Sequence, residues 1–274
     1  MTTYQGVSVL SIPLDFNSSH LRGPAEAPPL IKEVLHCGSA NLSSEQGIDI
    51  GRDKRLQDAG SVSWQQEQDA FPAIEQRVTE LLDKQSKVLT LGGDHSITYP
   101  VIKALAKKHD NLTILHLDAH PDLYDELLDN PHSHACPFAR IMEQRLAVRL
   151  VQVGIRTLNQ HQAAQAERFG VEVHEMRHWQ PEQPLNLDGP LYISIDLDAL
   201  DPAYAPGVSH HEPGGLSVRD VLQLLQSIEV PVVGADIVEY NPSRDINQMT
   251  AMVCAKLYKE LAGLMLRDCA EKTV

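Results

Sequence analysis

Acidic and imidazole side chains cluster at three points of the sequence, each directly after a short apolar run. These segments are Gly-Gly-Asp-His-Ser at 92–96, Asp-Ala-His-Pro-Asp at 118–122 and Ser-Ile-Asp-Leu-Asp-Ala-Leu-Asp-Pro at 194–202. In extended backbone, side chains two residues apart project to the same side, so Asp118 pairs with His120. Asp196 pairs with Asp198 by the same spacing. The candidate ligands of one shared site are His95, Asp118, His120, Asp122, Asp196 and Asp198.

Four carboxylates and two imidazoles are more than one divalent ion requires, and they suit two ions that share bridging carboxylates. Oxygen and nitrogen ligands without thiolate favour Mn²⁺, with Fe²⁺, Co²⁺, Ni²⁺ and Zn²⁺ as the other choices. Burying such acids without a cation would cost several kcal/mol per charge. Two ions about 3.5–4 Å apart can hold a bridging water as hydroxide near neutral pH. The residues therefore predict a hydrolytic binuclear metal site.

Other interpretations of these segments fail on pattern. Neither GxGxxG nor GxxxxGK[ST] surrounds Gly92, so a phosphate-binding loop is not predicted. The sequence contains no GxSxG, so a serine nucleophile is not favoured. A cysteine nucleophile is not favoured either, because Cys136 is equally consistent with a buried core thiol.

Length and charge limit the class of protein. We expect one domain spanning 1–274, because this length suits a single large α/β core. The 23 Lys and Arg residues oppose 37 Asp and Glu, and the formal net charge of −14 argues against a nucleic-acid or anionic-membrane partner. No run approaches ~18 consecutive apolar residues, so no membrane span is predicted. Scattered cysteines and an amino terminus without basic residues ahead of an apolar run predict a cytoplasmic protein.

The segments that must position these side chains alternate between short β-branched runs and longer runs with helical spacing. This pattern predicts an α/β fold, a three-layer α/β/α arrangement with a central, mainly parallel sheet. Strands are predicted over 7–12, 87–91, 112–117, 150–153, 171–175, 191–197 and 232–238. Helices are predicted over 71–83, 97–109, 136–146, 218–228 and 250–266, with Ser217 and Asp220 as a capping box. The region 22–64 is interpreted as loop and short helix. Ligands bind beyond the carboxyl ends of such strands, which is where the three motifs lie.

In this order, the three motifs resemble those of the ureohydrolase (arginase and agmatinase) family. The resemblance covers nearly the whole chain and is strongest to the plant-type arginases, through segments such as 133–135, 153–156, 206–217 and Asn241-Pro242. It implies an arginase-like fold and two Mn²⁺ per chain. It also implies hydrolysis of a small cationic guanidino substrate to urea and an amine, and a homo-oligomer, either a trimer or a hexamer.

The resemblance also implies a role for each site residue. One manganese would be bound by His95, Asp118, Asp122 and Asp196, and the other by Asp118, His120, Asp196 and Asp198. A metal-bridging hydroxide would attack the guanidinium carbon. Glu239 would accept hydrogen bonds from the guanidinium, a planar fork of donors, and His134 would pass a proton to the leaving amine. His132 competes with His134 for that role.

Further polar residues near the motifs are expected to support the site rather than to bind metal. Asp94 and Asp201 are assigned to turn capping or to hydrogen bonds with the ligands. His116, His210 and His211 are assigned structural or supporting positions.

The substrate depends on the loop 123–133, which lacks the Thr/Ser/Asn-rich segment of animal arginases. The Asp-Val-Asp of those enzymes is also absent, and Thr157, Leu158 and Asn159 stand in its place. Plant-type enzymes share both departures, and Asn130 is able to hydrogen-bond an α-carboxylate, so we prefer L-arginine, cleaved to urea and ornithine. Agmatine is the alternative, followed by another guanidino acid such as guanidinobutyrate. Two further alternatives are a non-catalytic metal-binding scaffold and a one-zinc deacetylase of related fold.

Overall fold

The computed structural model describes residues 4–181 and 183–269. Within these residues, eight strands form one parallel sheet in the order β2-β1-β3-β8-β7-β4-β5-β6. They are β1 (Gly6–Ile12), β2 (Leu56–Ser61), β3 (Ser86–Gly92), β4 (Thr113–Leu117), β5 (Arg149–Ile155), β6 (Glu172–Glu175), β7 (Leu191–Asp196) and β8 (Val232–Val238). Every residue of β1, β4, β7 and β8 is buried. Since successive side chains alternate between faces, both faces of the sheet are covered.

Helices supply that cover in two groups. They are α1 (Ala27–Leu35), α2 (Ala70–Asp83), α3 (Thr98–Ala106), α4 (Pro137–Glu143), α5 (Gln160–Phe169), α6 (Val218–Gln226) and α7 (Met249–Arg267). The helices α2 to α5 pack one against the next, and α7 packs against both α1 and α6. The predicted three-layer fold is confirmed. No helix among the described residues is long and apolar enough to cross a lipid bilayer.

The central elements match the predicted ones closely, and β8 has the predicted bounds. The capping box is also confirmed, because Ser217 accepts from the Asp220 amide and the Asp220 carboxylate accepts from the Ser217 amide. The prediction for 22–64 was incomplete. This region includes the short helix α1 but also β2, a largely exposed edge strand that pairs with β1. Its residues, Leu-Gln-Asp-Ala-Gly-Ser, carry little apolar signal because one edge of the strand faces solvent.

Helix α5 was not predicted either. Its buried face is made of Gln162, Gln165 and Ala166, so apolar spacing could not reveal it. The capping residues are the signal that was available. The Asn159 side chain accepts from the Gln162 amide at the start of the helix, and Gly170 ends it in left-handed backbone with φ 65°.

Four adjacent strands at the centre of the sheet, β3, β8, β7 and β4, end at the same level. Their registers align Leu91 with Ile237, Ile237 with Ile195, and Ile195 with Leu117. The chain that follows each strand therefore emerges side by side at one edge. The three predicted motifs follow β3, β4 and β7, and Glu239 follows β8, so the topology brings them together.

Candidate active site

His95 lies at the centre of the convergent residues and is completely buried. Its Nδ1 atom is 3.1 Å from a carboxylate oxygen of each of three residues, Asp118, Asp122 and Asp196. None of these contacts has the alignment of a hydrogen bond, so Nδ1 is a buried polar atom without a partner. A nitrogen surrounded by three carboxylate oxygens in this way is suited to a cation between them.

The hydrogen bonds behind His95 determine which ring nitrogen carries the proton. Ser194 Oγ donates to Asp236 Oδ1 over 2.7 Å, so it accepts from His95 Nε2 over 2.9 Å. The other Asp236 oxygen accepts from Thr98 Oγ1 and the Tyr192 hydroxyl, each at 2.7 Å. With the proton on Nε2, the lone pair on His95 Nδ1 is free to bind metal. The free Nδ1 lone pair and the carboxylate oxygens around it therefore fit a divalent ion.

His116 lies close enough to His95 and Asp118 to share an ion with them, but both of its nitrogens are occupied. Gln152 Nε2 donates to Pro121 O over 2.7 Å and to His116 Nδ1 over 3.0 Å. His116 Nε2 therefore donates to Asp118 Oδ2 over 2.8 Å. Burial lowers the pKa of His116 to about 4, which keeps the ring neutral. As expected from the sequence, His116 supports a ligand.

A second group of candidate ligands surrounds His120. Its Nδ1 atom lies 3.3 Å from Asp118 Oδ1 and 3.1 Å from Asp198 Oδ2, and these three side chains can share one ion. Asp118 therefore presents Oδ2 to His95 and Oδ1 to His120. One carboxylate lies between the two positions, which is the geometry of a bridging ligand.

The acids of this cluster are too crowded to be ionised together without a cation. Burial and the charge of Asp118 raise the pKa of Asp122 to about 6. Burial, followed by the charges of Asp198 and Asp118, also raises the pKa of Asp196. Protons relieve the repulsion in the metal-free protein, and a bound divalent ion would displace them.

Backbone strain is concentrated at the same edge. Asp122 and Glu239 adopt left-handed backbone with φ of 51° and 62°, which costs energy for residues with a side chain. Gly154 faces the cluster with φ 100°, and a Cβ there would stand 2.8 Å from the Asp118 carbonyl oxygen. Only glycine allows β5 to approach that closely.

His134 and Glu239 form a pair on the wall above the cluster. Glu239 Oε1 accepts from the His95 amide over 2.9 Å and from His134 Nδ1 over 2.8 Å, whereas no described residue bonds Oε2. His134 Nε2 lies 2.8 Å from Ser19 Oγ. Burial alone would lower the pKa of His134, but the charge and hydrogen bond of Glu239 outweigh it and raise this pKa to about 9. The ring holds a proton at neutral pH.

One cavity of about 200 Å³ unites most of the predicted residues. The predicted site residues that line this cavity are His120, Asp122, His134, Asp196, Asp198 and Glu239. The other lining residues, to which sequence reasoning assigned no individual catalytic or binding role, are Ser19, Tyr124, Leu127, Ala135, Thr157, Gln162, His210 and Glu212. No Lys or Arg of the described chain lines it. His210 has a pKa lowered to about 4 by burial and by the neighbouring imidazoles, so it adds a neutral ring.

Asn130 is the predicted substrate-binding residue that the structure does not bring to this cavity. Its Nδ2 donates to Asn17 Oδ1 over 3.0 Å, and its Oδ1 accepts from the His132 amide over 2.9 Å. Both Asn130 and His132 line a neighbouring cavity of about 570 Å³. The substrate contact of Asn130 stays a prediction, and His132 lies apart from the His134–Glu239 pair.

The two remaining acids of the motifs cap turns, as expected. Asp94 Oδ1 accepts from the Ser96 amide over 3.1 Å, and Asp94 Oδ2 accepts from the Asn17 amide over 3.0 Å. Asp201 accepts from the amides of Ala203 and Gly214 at 2.9 and 2.7 Å.

Comparison with known proteins gives one consistent result. Residues 5–263 match the model of the arginase family. The chain is 50% identical to "Arginase 1, mitochondrial" of Arabidopsis thaliana, over 93% of this chain and 80% of that protein. It is 34% identical to the human "Guanidino acid hydrolase, mitochondrial", over 92% of this chain and 76% of that protein. The solved structure of arginase from Medicago truncatula superposes with a TM-score of 0.90 at 43% identity, covering 97% of this chain and 89% of that one.

Proposed function

The chain belongs to the arginase family and is a ureohydrolase, and on that premise we propose that it hydrolyses L-arginine to urea and L-ornithine. The observation that carries the choice of substrate is the 50% identity to the Arabidopsis arginase over nearly the whole chain. The human guanidino acid hydrolase is 34% identical over a similar length.

The metal is part of the proposal. Two Mn²⁺ would be held by the six predicted ligands, one around His95 and one around His120, with Asp118 between them. Oxygen and imidazole donors without thiolate support manganese. When bound, the ions supply Lewis-acid activation of water near neutral pH, which an electrophile as poor as a guanidinium carbon requires.

The chain's own side chains account for binding and proton transfer. Glu239 Oε2, the carboxylate oxygen that no described residue bonds, accepts N–H groups of the guanidinium and holds it above the ligands. His134 is protonated, with its Nδ1 against Glu239 and therefore beside the bound guanidinium. The departing nitrogen gains two protons to leave as the ammonium of L-ornithine: one comes from the attacking water, and His134 can donate the other.

A urea assay with manganese-loaded protein tests this function. L-Arginine, agmatine and 4-guanidinobutyrate are compared side by side, with metal content measured on the same sample. We expect the highest kcat/KM with L-arginine and two manganese ions per chain. A higher kcat/KM with agmatine would replace arginase by agmatinase, and no urea from any of the three would favour the non-catalytic scaffold.

Assembly and compartment also belong to the proposal. We retain a homo-oligomer, a trimer or a hexamer, which light scattering on the full chain tests. The cytoplasm remains our proposed compartment, supported by four free cysteines that fit reducing conditions. The Arabidopsis relative carries the name mitochondrial, so fractionation of the native cells must compare those two compartments.

A further inference from the structure

Gln162 has a buried side-chain amide whose oxygen is hydrogen-bonded and whose nitrogen is not. The residue is only 3% exposed and lines the active-site cavity. Its Oε1 atom accepts from the Leu123 amide over 3.1 Å. This bond determines the orientation of the side-chain amide, because the reverse orientation would place an N–H₂ group against the N–H of Leu123. The Nε2 group has no hydrogen-bond partner in the described chain, which leaves two donors for a molecule in the cavity.

Tyr124 adds a second free donor beside Gln162. It directly follows Leu123, which Gln162 bonds, and it lines the same cavity. Its hydroxyl oxygen accepts from Asn159 Nδ2, so the hydroxyl proton remains available. Its ring stacks on His161 with centroids 5.5 Å apart and planes at 12°, which limits its movement. The hydroxyl of Thr157, in contrast, already donates to the Ala119 carbonyl over 3.0 Å.

The two ends of the substrate need different binding groups in the cavity. Glu239 is the acceptor for the guanidinium end. At the other end L-arginine carries an α-carboxylate and an α-ammonium group, whereas agmatine carries no carboxylate. No Lys or Arg of the described chain lines the cavity, and the protonated His134 is paired with Glu239 at the guanidinium end. Neutral donors are therefore left to bind the carboxylate. Glu212 is the acid available to the ammonium group.

We propose that the Gln162 amide, together with the Tyr124 hydroxyl, binds the α-carboxylate of L-arginine and determines the preference for L-arginine over agmatine. The inference rests on the proposed arginase function and names the recognition residues that it needs. With agmatine bound, the Gln162 donors would have no charged acceptor, and this difference discriminates between the substrates. Asn130 is less suited to the task, because its amide is already bonded to Asn17.

Gln162→Glu is the most informative variant. It keeps an oxygen that accepts from the Leu123 amide, and it replaces the two donors by a second carboxylate oxygen that repels the substrate carboxylate. The contact is made equally before and during the reaction, so its loss raises KM more than it lowers kcat. We expect KM for L-arginine to rise about ten- to hundredfold with kcat within about threefold. The kcat/KM for agmatine should stay the same or rise.

Two comparisons separate recognition from folding. Gln160→Glu makes the same change of charge at the exposed start of α5, and we expect unaltered kinetics. Gln162→Met removes the donors without adding charge, but it also removes the oxygen that accepts from the Leu123 amide. It is therefore used only if Gln162→Glu folds poorly, and agmatine turnover then reports on the loss of that bond. Inhibition by the product L-ornithine should weaken in parallel with the KM for L-arginine in either Gln162 variant, whereas inhibition by putrescine should not.

The outcomes separate the two proposals. If the wild-type protein releases no urea from L-arginine, the proposed function is wrong, whatever the variants do. If it hydrolyses L-arginine and the folded Gln162 variant keeps the wild-type KM, only the assignment of Gln162 is overturned. An equal loss with L-arginine and agmatine also overturns it, because that result indicates a structural role.

Discussion

The floor and the rim of the cavity are built on different principles. The floor consists of side chains at the ends of four adjacent strands, and peptide amides and buried side chains behind them hold His95, Asp118 and Asp196 in place. The rim consists of loops and α5, with mostly neutral side chains and a turn whose tip residue, Leu128, is 76% exposed. The floor suits the reaction common to guanidino substrates. The rim meets the part of the substrate that differs between them.

The largest effect is expected at the floor residue that lies between the two proposed metal positions. Asp118→Asn should lower kcat/KM for L-arginine by roughly a thousandfold or more, because a neutral amide cannot bridge two cations. Its N–H₂ would also face the ring N–H of His116 or the backbone N–H of His120. Metal analysis should find less than the wild-type manganese. Asp129→Asn, at the exposed rim turn, is the matched control and should keep the wild-type kcat/KM and manganese content. Wild-type manganese content and turnover in Asp118→Asn would refute the bridging role.

A smaller but still large loss is expected where floor and rim meet. Glu239→Gln keeps the oxygen that accepts from His95 and His134 but puts an N–H₂ in place of the free oxygen. It should lose about 100- to 1000-fold in kcat and retain manganese, since Glu239 is not among the proposed ligands. The pKa of His134 should also fall, because the carboxylate that raises it is gone. Glu212→Gln on the rim should cost less than tenfold, mainly in KM. Retained turnover in Glu239→Gln would rule out its proposed role.

A moderate effect is expected below the floor, where Asp236 holds Ser194 and through it His95. Asp236→Asn cannot accept from Ser194, Tyr192 and Thr98 at once, so the His95 ring loses its orientation. Manganese affinity should weaken about 10- to 100-fold, and high manganese concentrations should restore activity. Asp83→Asn, an exposed acid on α2, should leave the affinity unchanged. Activity that stays low at saturating manganese would point instead to general damage of the core.

The same contrast explains how far sequence reasoning reached. Most candidate ligands on the floor share a two-residue spacing after apolar strands, and parallel registers bring such strand ends together, so residue types and spacing were sufficient to predict that these side chains converge. The resemblance then supplied Glu239 and His134, which no local pattern indicates. The left-handed backbone that positions Glu239 is visible only in the folded chain.

The residues of the rim could not be predicted from residue type and spacing. Asn130 was chosen because its side chain can bind a carboxylate, but whether a loop residue reaches a cavity depends on the path of the loop. The structure shows the Asn130 amide bonded to Asn17. Gln162 was missed because two of the three buried residues of its helix are glutamines, so apolar spacing did not predict the helix. A buried polar residue becomes informative only when its hydrogen bonds can be counted.

The smallest effect, and one of opposite sign, is expected at the rim turn. Leu127 and Asn130 exchange two backbone hydrogen bonds of 3.2 and 3.1 Å, and between them Leu128 and Asp129 adopt φ of 55° and 58°. Such a turn favours Asn followed by Gly, so Leu128→Asn with Asp129→Gly should stabilise the protein by about 1 kcal/mol. Thermal unfolding of the manganese-loaded protein should shift upward by a few degrees, because one kcal/mol moves Tm by about 2–4 °C at this size. Turnover of L-arginine should stay within about twofold, since neither side chain lines the cavity. A tenfold loss of activity in a stabilised variant would show that the rim turn takes part in the reaction and that the division between floor and rim is too sharp.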